Sequence, residues 1–213
     1  MVHLSLRQKL LALFWPVRLR SHASLANPVL ELYYYRGRYQ LATLDALYSD
    51  GARYRPLVAA FRALRNDFSG IRNVLVLGTG LGSAAHVADK MGFRPAFTFV
   101  DIDADVLAWA EELMPRKLRP GARFICADAA DFLRADAATY DLVVVDVFIG
   151  REVPAFVISP PFLEACKAHL NAGGRLVLNY MSNDATAKPA LEKVFGPVQE
   201  IEFGLNQVYV SMG

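Results

Sequence analysis

The chain has 213 residues, of which 54% are hydrophobic and 21% charged, and a formal net charge of +2. That composition excludes a disordered or fibrous protein and allows one domain with a sizeable core and a small appended segment. The charge is too small to argue for nucleic-acid binding. Cys126 and Cys166 lack metal-ligand spacing, so neither a disulfide framework nor a metal site is expected and both are read as buried small hydrophobes.

The positive charge is concentrated at the start. Residues 1–40 carry Arg7, Lys9, Arg18, Arg20, Arg36 and Arg38 against Glu31 alone. The apolar run Leu10–Val17 contains Pro16 and is followed at once by Arg18 and Arg20, too short and too soon charged for a signal peptide or a span. Residues 1–29 therefore read as a basic amphipathic N-terminal arm that docks on the body, a partner subunit or a membrane surface, in a cytoplasmic protein.

Residues 30–70 have a different texture. "ELYYYRGRYQLATLDALYSDG" alternates aromatic and polar residues around Arg36–Gly37 and predicts two or three short antiparallel strands, and "RYRPLVAAFRALRN" predicts a linking helix. From residue 71 the apolar runs "NVLVL", "AFTFV", "RFIC", "YDLVVVD" and "GRLVLNY" alternate with the helical patterns "SAAHVADKMG", "ADVLAWAEELM", "AADFLRA" and "PPFLEACKAHLNAGG". Strand alternating with helix means a doubly wound, mostly parallel sheet. The end breaks the rhythm: "VQEIEF" and "QVYVSM" around "GLN" predict a C-terminal antiparallel hairpin, giving a seven-stranded α/β sheet over 71–213. This layout resembles class I S-adenosylmethionine-dependent transferases.

In "VLVLGTGLGSAAH" a buried strand runs into Gly78, Gly80 and Gly82. Such a turn lets backbone approach a ligand and offers N–H groups at a helix start. A dinucleotide fingerprint would have Gly or Ala where Ser83 stands. The next strand ends in "FVDID". Asp101, nineteen residues past Gly82, is placed to accept from ribose hydroxyls, Ile102 to lie against an adenine face and Asp103 to cap the following helix. In "CADAADF", Asp128 either receives the adenine amino group, with the Ala129 N–H donating to the ring, or caps a helix. Asp146 ends the fourth strand beside this region and reads as a general base, or as a loop cap in "DVFIGREVP". Arg151 reads as a loop arginine near the site.

At "YDLVVVDVFIGREVP", together with "VLVLGTGLG", "VDID" and "CADAADFL", the chain resembles spermidine synthase and the wider spermidine synthase-like group from about Tyr39 to Asn179. The resemblance implies that Asp101 holds the ribose, Asp128 the adenine, and Asp146 binds and deprotonates the attacking amine. It implies that Tyr54, in "ALYSDGARYRPLVAAF", orients that amine, and that the N-terminal β segment takes part in a homodimer. Two positions depart from the family's pattern: Leu81 stands where the glycine loop carries an acid, and Ile149 where a second aspartate follows the first. A buried ammonium without a carboxylate costs several kcal/mol, so a diamine loses two supports, with Asp50 or Glu152 as substitutes from another direction.

The leading expectation is thus a transferase that binds S-adenosylmethionine, or its decarboxylated form, and moves a methyl group to a small-molecule acceptor. Aminopropyl transfer is the alternative, a non-catalytic scaffold is the reading from another class, and Ser83 with the terminal hairpin disfavours an NAD-linked enzyme.

Overall fold

A computed structural model describes residues 4–181, 185–203 and 206–211. Helix α1 (Leu6–Leu11) opens with a capping box: Gln8 N–H donates to Ser5 Oγ and Ser5 N–H donates to Gln8 Oε1. Four antiparallel strands follow in sheet order, β1 (Val17–His22), β2 (Leu30–Tyr35), β3 (Arg38–Ala42) and β4 (Leu47–Ser49). The β2–β3 hairpin turns at Arg36 and Gly37, both at positive φ (47° and 82°), the combination a tight two-residue turn needs.

The arm read as residues 1–29 is corrected here. Its second part is strand β1, registered on β2 from Val17↔Tyr34 to His22↔Leu30. Its two arginines diverge, Arg18 exposed and paired with Glu31 and Arg20 turned onto Glu112 and Trp109, and the partner strand that reveals this lies beyond the reach of local periodicity.

Helix α2 (Arg55–Ala63) leads into the main sheet. Its elements are β5 (Asn73–Leu77), α3 (Ser83–Lys90), β6 (Ala96–Asp101), α4 (Ala104–Leu113), β7 (Arg123–Cys126), α5 (Ala129–Ala135), β8 (Tyr140–Val145), α6 (Pro160–Ala168), β9 (Leu170–Tyr180), α7 (Ala187–Phe195), β10 (Val198–Phe203) and β11 (Asn206–Ser211). The strand order is β10-β11-β9-β8-β5-β6-β7, with β11 antiparallel to both neighbours and the rest parallel. The doubly wound seven-stranded sheet and its antiparallel hairpin are as the sequence predicts. Hairpin residues 204, 205 and 212 lie outside the described residues.

Along β5 the pleat alternates faces, as a strand covered on both sides requires. Val74 and Val76 enter one core with Phe61, Phe97 and Phe99, whereas Leu75 and Leu77 enter the other with Phe132, Phe162 and Tyr209. A third, smaller core joins the two sheets: Leu30, Leu32 and Leu41 pack with Leu81, Val106 and Trp109. Arg20 reinforces this joint with two hydrogen bonds, 2.8 and 3.1 Å, to the Glu112 carboxylate.

Three further details differ from expectation. Strand β9 begins at Leu170 and contains Gly173 and Gly174, with a register irregularity against β8, where the sequence carries the helical pattern "PPFLEACKAHLNAGG" to its glycines. Helix α7 has no counterpart among the predicted elements; its Pro189 lies in the first turn, where a missing N–H costs no helical bond. Cys166 is buried but Cys126 is exposed, because β7 is the sheet edge.

Candidate active site

The C-terminal ends of β5, β6 and β8, the opening of α5 and strand β4 surround a cavity of about 680 Å³. Such strand ends are where open α/β sheets offer backbone and side-chain groups to a ligand. Gly78 and Gly80 line it, at φ 89° and 51°, a region that L side chains rarely adopt. A Cβ on Gly78 would collide with the Asp146 carbonyl, so the glycine turn and the end of β8 touch through main chain alone. Gly82 does not line the cavity. It is the left-handed N-cap of α3, against Met114 Cε, and it shapes the turn from beneath.

Asp101 stands on the cavity wall with its carboxylate fixed by backbone. Thr79 N–H donates to Oδ2 at 2.8 Å and Asp103 N–H to Oδ1 at 3.0 Å. Burial raises its pKa against the pull of these bonds. Ile102 is exposed and lines the wall beside it. Asp103 is the predicted cap of α4, accepting from Asp105 N–H at 3.0 Å, and it also receives Asn27 Nδ2 at 2.7 Å. Asp128 and Ala129 line the cavity too, while Asp128 Oδ1 caps α5 by accepting from Ala130 N–H at 2.8 Å and Asp131 N–H at 3.1 Å. The capping reading of Asp128 is therefore realised, at a position that also faces the cavity.

At the cavity floor lies a tight cluster of polar side chains drawn from distant segments. Asp146 Oδ1 accepts from Tyr54 Oη–H at 3.2 Å and from Asn179 Nδ2 at 2.7 Å. Asn206 Nδ2 in turn donates to Asn179 Oδ1 at 3.1 Å, which fixes the Asn179 amide with its nitrogen toward Asp146. Burial lifts the Asp146 carboxyl to about 6, against the lowering effect of the Asn179 and Tyr54 hydrogen bonds. Burial, with the carboxylate beside it, holds the Tyr54 hydroxyl well above its ordinary value. The sequence placed Asp146 and Tyr54 together through resemblance. It missed Asn179, whose only signal is a polar residue in the apolar run "RLVLNY", and Asn206.

Of the positions expected to matter for a second ammonium, Ile149 and Asp50 line the cavity and Leu81 and Glu152 do not. Leu81 is buried in the core between the two sheets and does not line the cavity. Ile149 lines the cavity and is exposed. Asp50 also lines it, bound to Arg38 Nε at 2.5 Å and Gln40 Nε2 at 2.8 Å, whereas Glu152 does not reach it. Arg151 donates from Nε to the Asp45 carbonyl at 2.5 Å, and Gly150 N–H donates to Tyr48 Oη at 2.7 Å. These two bonds tie the loop after β8 to the N-terminal sheet across the cavity mouth.

An adenosyl ligand fits these residues. The glycine turn lets bare backbone line the cavity where a side chain at Gly78 would collide with neighbouring main chain, and Thr79 Oγ1 between Gly78 and Gly80 is buried with no hydrogen-bond partner among the described residues. No group of three or more candidate metal ligands is found among the described residues.

Residues 74–174 match a family model described as a methyltransferase domain. The polyamine aminopropyltransferase of Neisseria meningitidis is 28% identical over 125 residues, covering 58% of this chain and 47% of that protein. The chain thus spans about half the length of the curated relatives it matches. Among solved structures, a probable spermidine synthase from Corynebacterium glutamicum superposes with a TM-score of 0.71 at 20% identity, covering 92% of this chain and 80% of that one. The spermidine synthase of Thermotoga maritima gives 0.70 at 15% identity, covering 91% and 71%. The fold is that of class I methyltransferases in its spermidine synthase-like form.

Proposed function

We propose that this spermidine synthase-like chain transfers an alkyl group from an adenosyl sulfonium to an amine, and that the group is aminopropyl, from decarboxylated S-adenosylmethionine. The observation that carries the reading is the Asp146–Tyr54–Asn179 cluster on the cavity floor. An ammonium must lose a proton before its nitrogen can attack. A carboxylate titrating at about 6 is ionised at neutral pH and still basic enough to take part in that transfer. Tyr54 and Asn179 both hold Oδ1, which fixes the direction in which the carboxylate meets an acceptor.

Gly78, Gly80, Asp101, Ile102, Asp128 and Ala129 would hold the adenosyl part, Asp101 toward the ribose and Asp128 with Ala129 toward the adenine. When bound, the sulfonium supplies an electrophilic carbon and a thioether leaving group. What remains for the protein is placement of the amine and removal of its proton. The relatives named as polyamine aminopropyltransferases support aminopropyl transfer over the methyl transfer suggested by Leu81 and Ile149. With Leu81 buried elsewhere and Asp50 paired to Arg38, the exposed Asp45 on the cavity wall is the acid, besides Asp101, Asp128 and Asp146, left to meet a second ammonium. Asp146 is the acid on which recognition of the amine rests.

The test is product identity. The purified chain is incubated with an amine and either donor. Methylthioadenosine formed from the decarboxylated donor supports this reading; S-adenosylhomocysteine from the intact donor would replace it with methyl transfer. Tight donor binding with neither product across an amine panel would leave a ligand-binding scaffold.

A further inference from the structure

We propose that the first segment of the chain is an interfacial anchor that seats this protein on an anionic lipid surface. Helix α1 has no buried residue. Leu6, Leu10, Leu11, Leu13, Phe14 and Trp15 are all more than half exposed, the last two at 68% and 70%. Single exposed apolar residues are ordinary, but six within ten positions form an apolar patch.

Leu6 and Leu10 lie one helical turn apart on the same side of α1, Lys9 borders them, and Arg7 rises between Leu10 and Leu11. Phe14 and Trp15 follow at the end of the turn, their rings 6.1 Å apart. Leucines with an aromatic pair and long cationic side chains that can reach headgroups form the chemistry of a helix lying in a membrane interface. The segment is also held to the body. Arg36 N–H donates to the Ala12 carbonyl at 2.7 Å and Arg36 Nε to the Leu13 carbonyl at 3.4 Å, so the apolar face has a defined position at the β2–β3 turn.

Charge selects the occupant. Residues 4–30 contain no acidic side chain. Arg18 is paired with Glu31, Arg20 with Glu112 and Arg38 with Asp50, but no carboxylate among the described residues pairs with Arg7, Lys9 or Arg36. Two copies meeting face to face through this patch would bring those cations together, whereas a surface of anionic headgroups complements them.

The full chain is mixed with vesicles of phosphatidylcholine alone and of phosphatidylcholine with phosphatidylserine, and Trp15 emission and co-sedimentation are followed. Trp109, the other tryptophan, is buried and supplies a constant background. The expected result is binding to the anionic vesicles with a blue shift of the emission. Affinity should fall at least tenfold in Arg7→Gln/Lys9→Gln and in Phe14→Ser/Trp15→Ser, with little binding to the neutral vesicles. These side chains are exposed, so the variants should fold, and an unchanged melting temperature checks it. Failure to bind anionic vesicles overturns the proposal. So does loss of self-association in the Phe14→Ser/Trp15→Ser variant without any lipid binding by the parent, which would assign the face to a second copy.

Discussion

Asn179 Nδ2 donates to Asp146 Oδ1 at 2.7 Å, bridging the ends of the neighbouring strands β9 and β8. Asn179 has no exposed surface, and its amide is fixed by Asn206, so the bridge is a built part of the cavity floor. Among the hydrogen bonds to Asp146 it gives the largest lowering of a carboxyl that burial raises. Replacing Asn179 by Ala removes that lowering, and the acidic limb of the rate profile should move to higher pH while donor affinity stays within about twofold. A pH profile of kcat/KM set beside calorimetric donor binding measures both. A limb that stays in place would leave Asn179 a purely structural role.

Asp146 itself should govern the pH dependence. With its carboxyl lifted to about 6, activity is expected to rise with pH through about 6 as the base ionises. Asp146→Asn should lower turnover by roughly a hundred- to ten-thousandfold, the usual range for losing a general base. Product formation under single-turnover conditions is the direct measurement.

The same residue makes a prediction about stability, of opposite sign. A carboxyl raised from 3.8 to about 6 on folding favours the fold below the lower value and loses that advantage as pH rises through the upper one. Above about pH 6 the ionised Asp146 therefore opposes folding. Asp146→Asn should stabilise the protein by about 1–3 kcal/mol at pH 8 and by much less at pH 4. Urea unfolding at the two pH values tests this, and a variant that is less stable at pH 8 contradicts it.

Asp101→Ala should weaken binding of either adenosyl donor by about 1.5–3 kcal/mol, as expected for hydrogen bonds to a charged group. Its backbone partners, Thr79 N–H and Asp103 N–H, lose an acceptor too, so Asp101→Asn is the gentler comparison. Calorimetry on both variants measures the change; unimpaired binding removes Asp101 from the site.

Gly78→Ala should cost about 2–4 kcal/mol of stability, because it combines a positive φ with a collision against main chain that has no rotamer to escape into. Gly92→Ala also sits at positive φ but has nothing within 4 Å of the new Cβ, and should cost less. Chemical denaturation of the pair separates strain from collision.

Much of this architecture is written in local pattern. The β-branched run "YDLVVVD" declares a strand buried on both faces and puts an acid at its end. The Asp103 cap was legible from its place before "ADVLAWAEEL". What escaped depends on neighbours distant in the chain. Strand β1 looks like a basic tail until β2 lies beside it, and Asn179 looks like an accident at the end of an apolar run until the sheet order sets β9 next to β8. Cys126 ends an apolar run and is exposed all the same, since sequence alone does not say which strand is last in the sheet. Leu81 could be seen to differ from an acid, but not where its side chain would go.

That destination has a consequence for the whole molecule. The residue between Gly80 and Gly82 points its side chain into Leu30, Leu32 and Leu41, while the backbone on its N-terminal side faces the cavity. The small sheet is thereby riveted to the turn that would cradle a nucleoside. Shortening the chain ahead of β5 would unseat that turn as well as remove a wall, and a ligand that stiffens the turn would guard distant residues 30–42 against proteases.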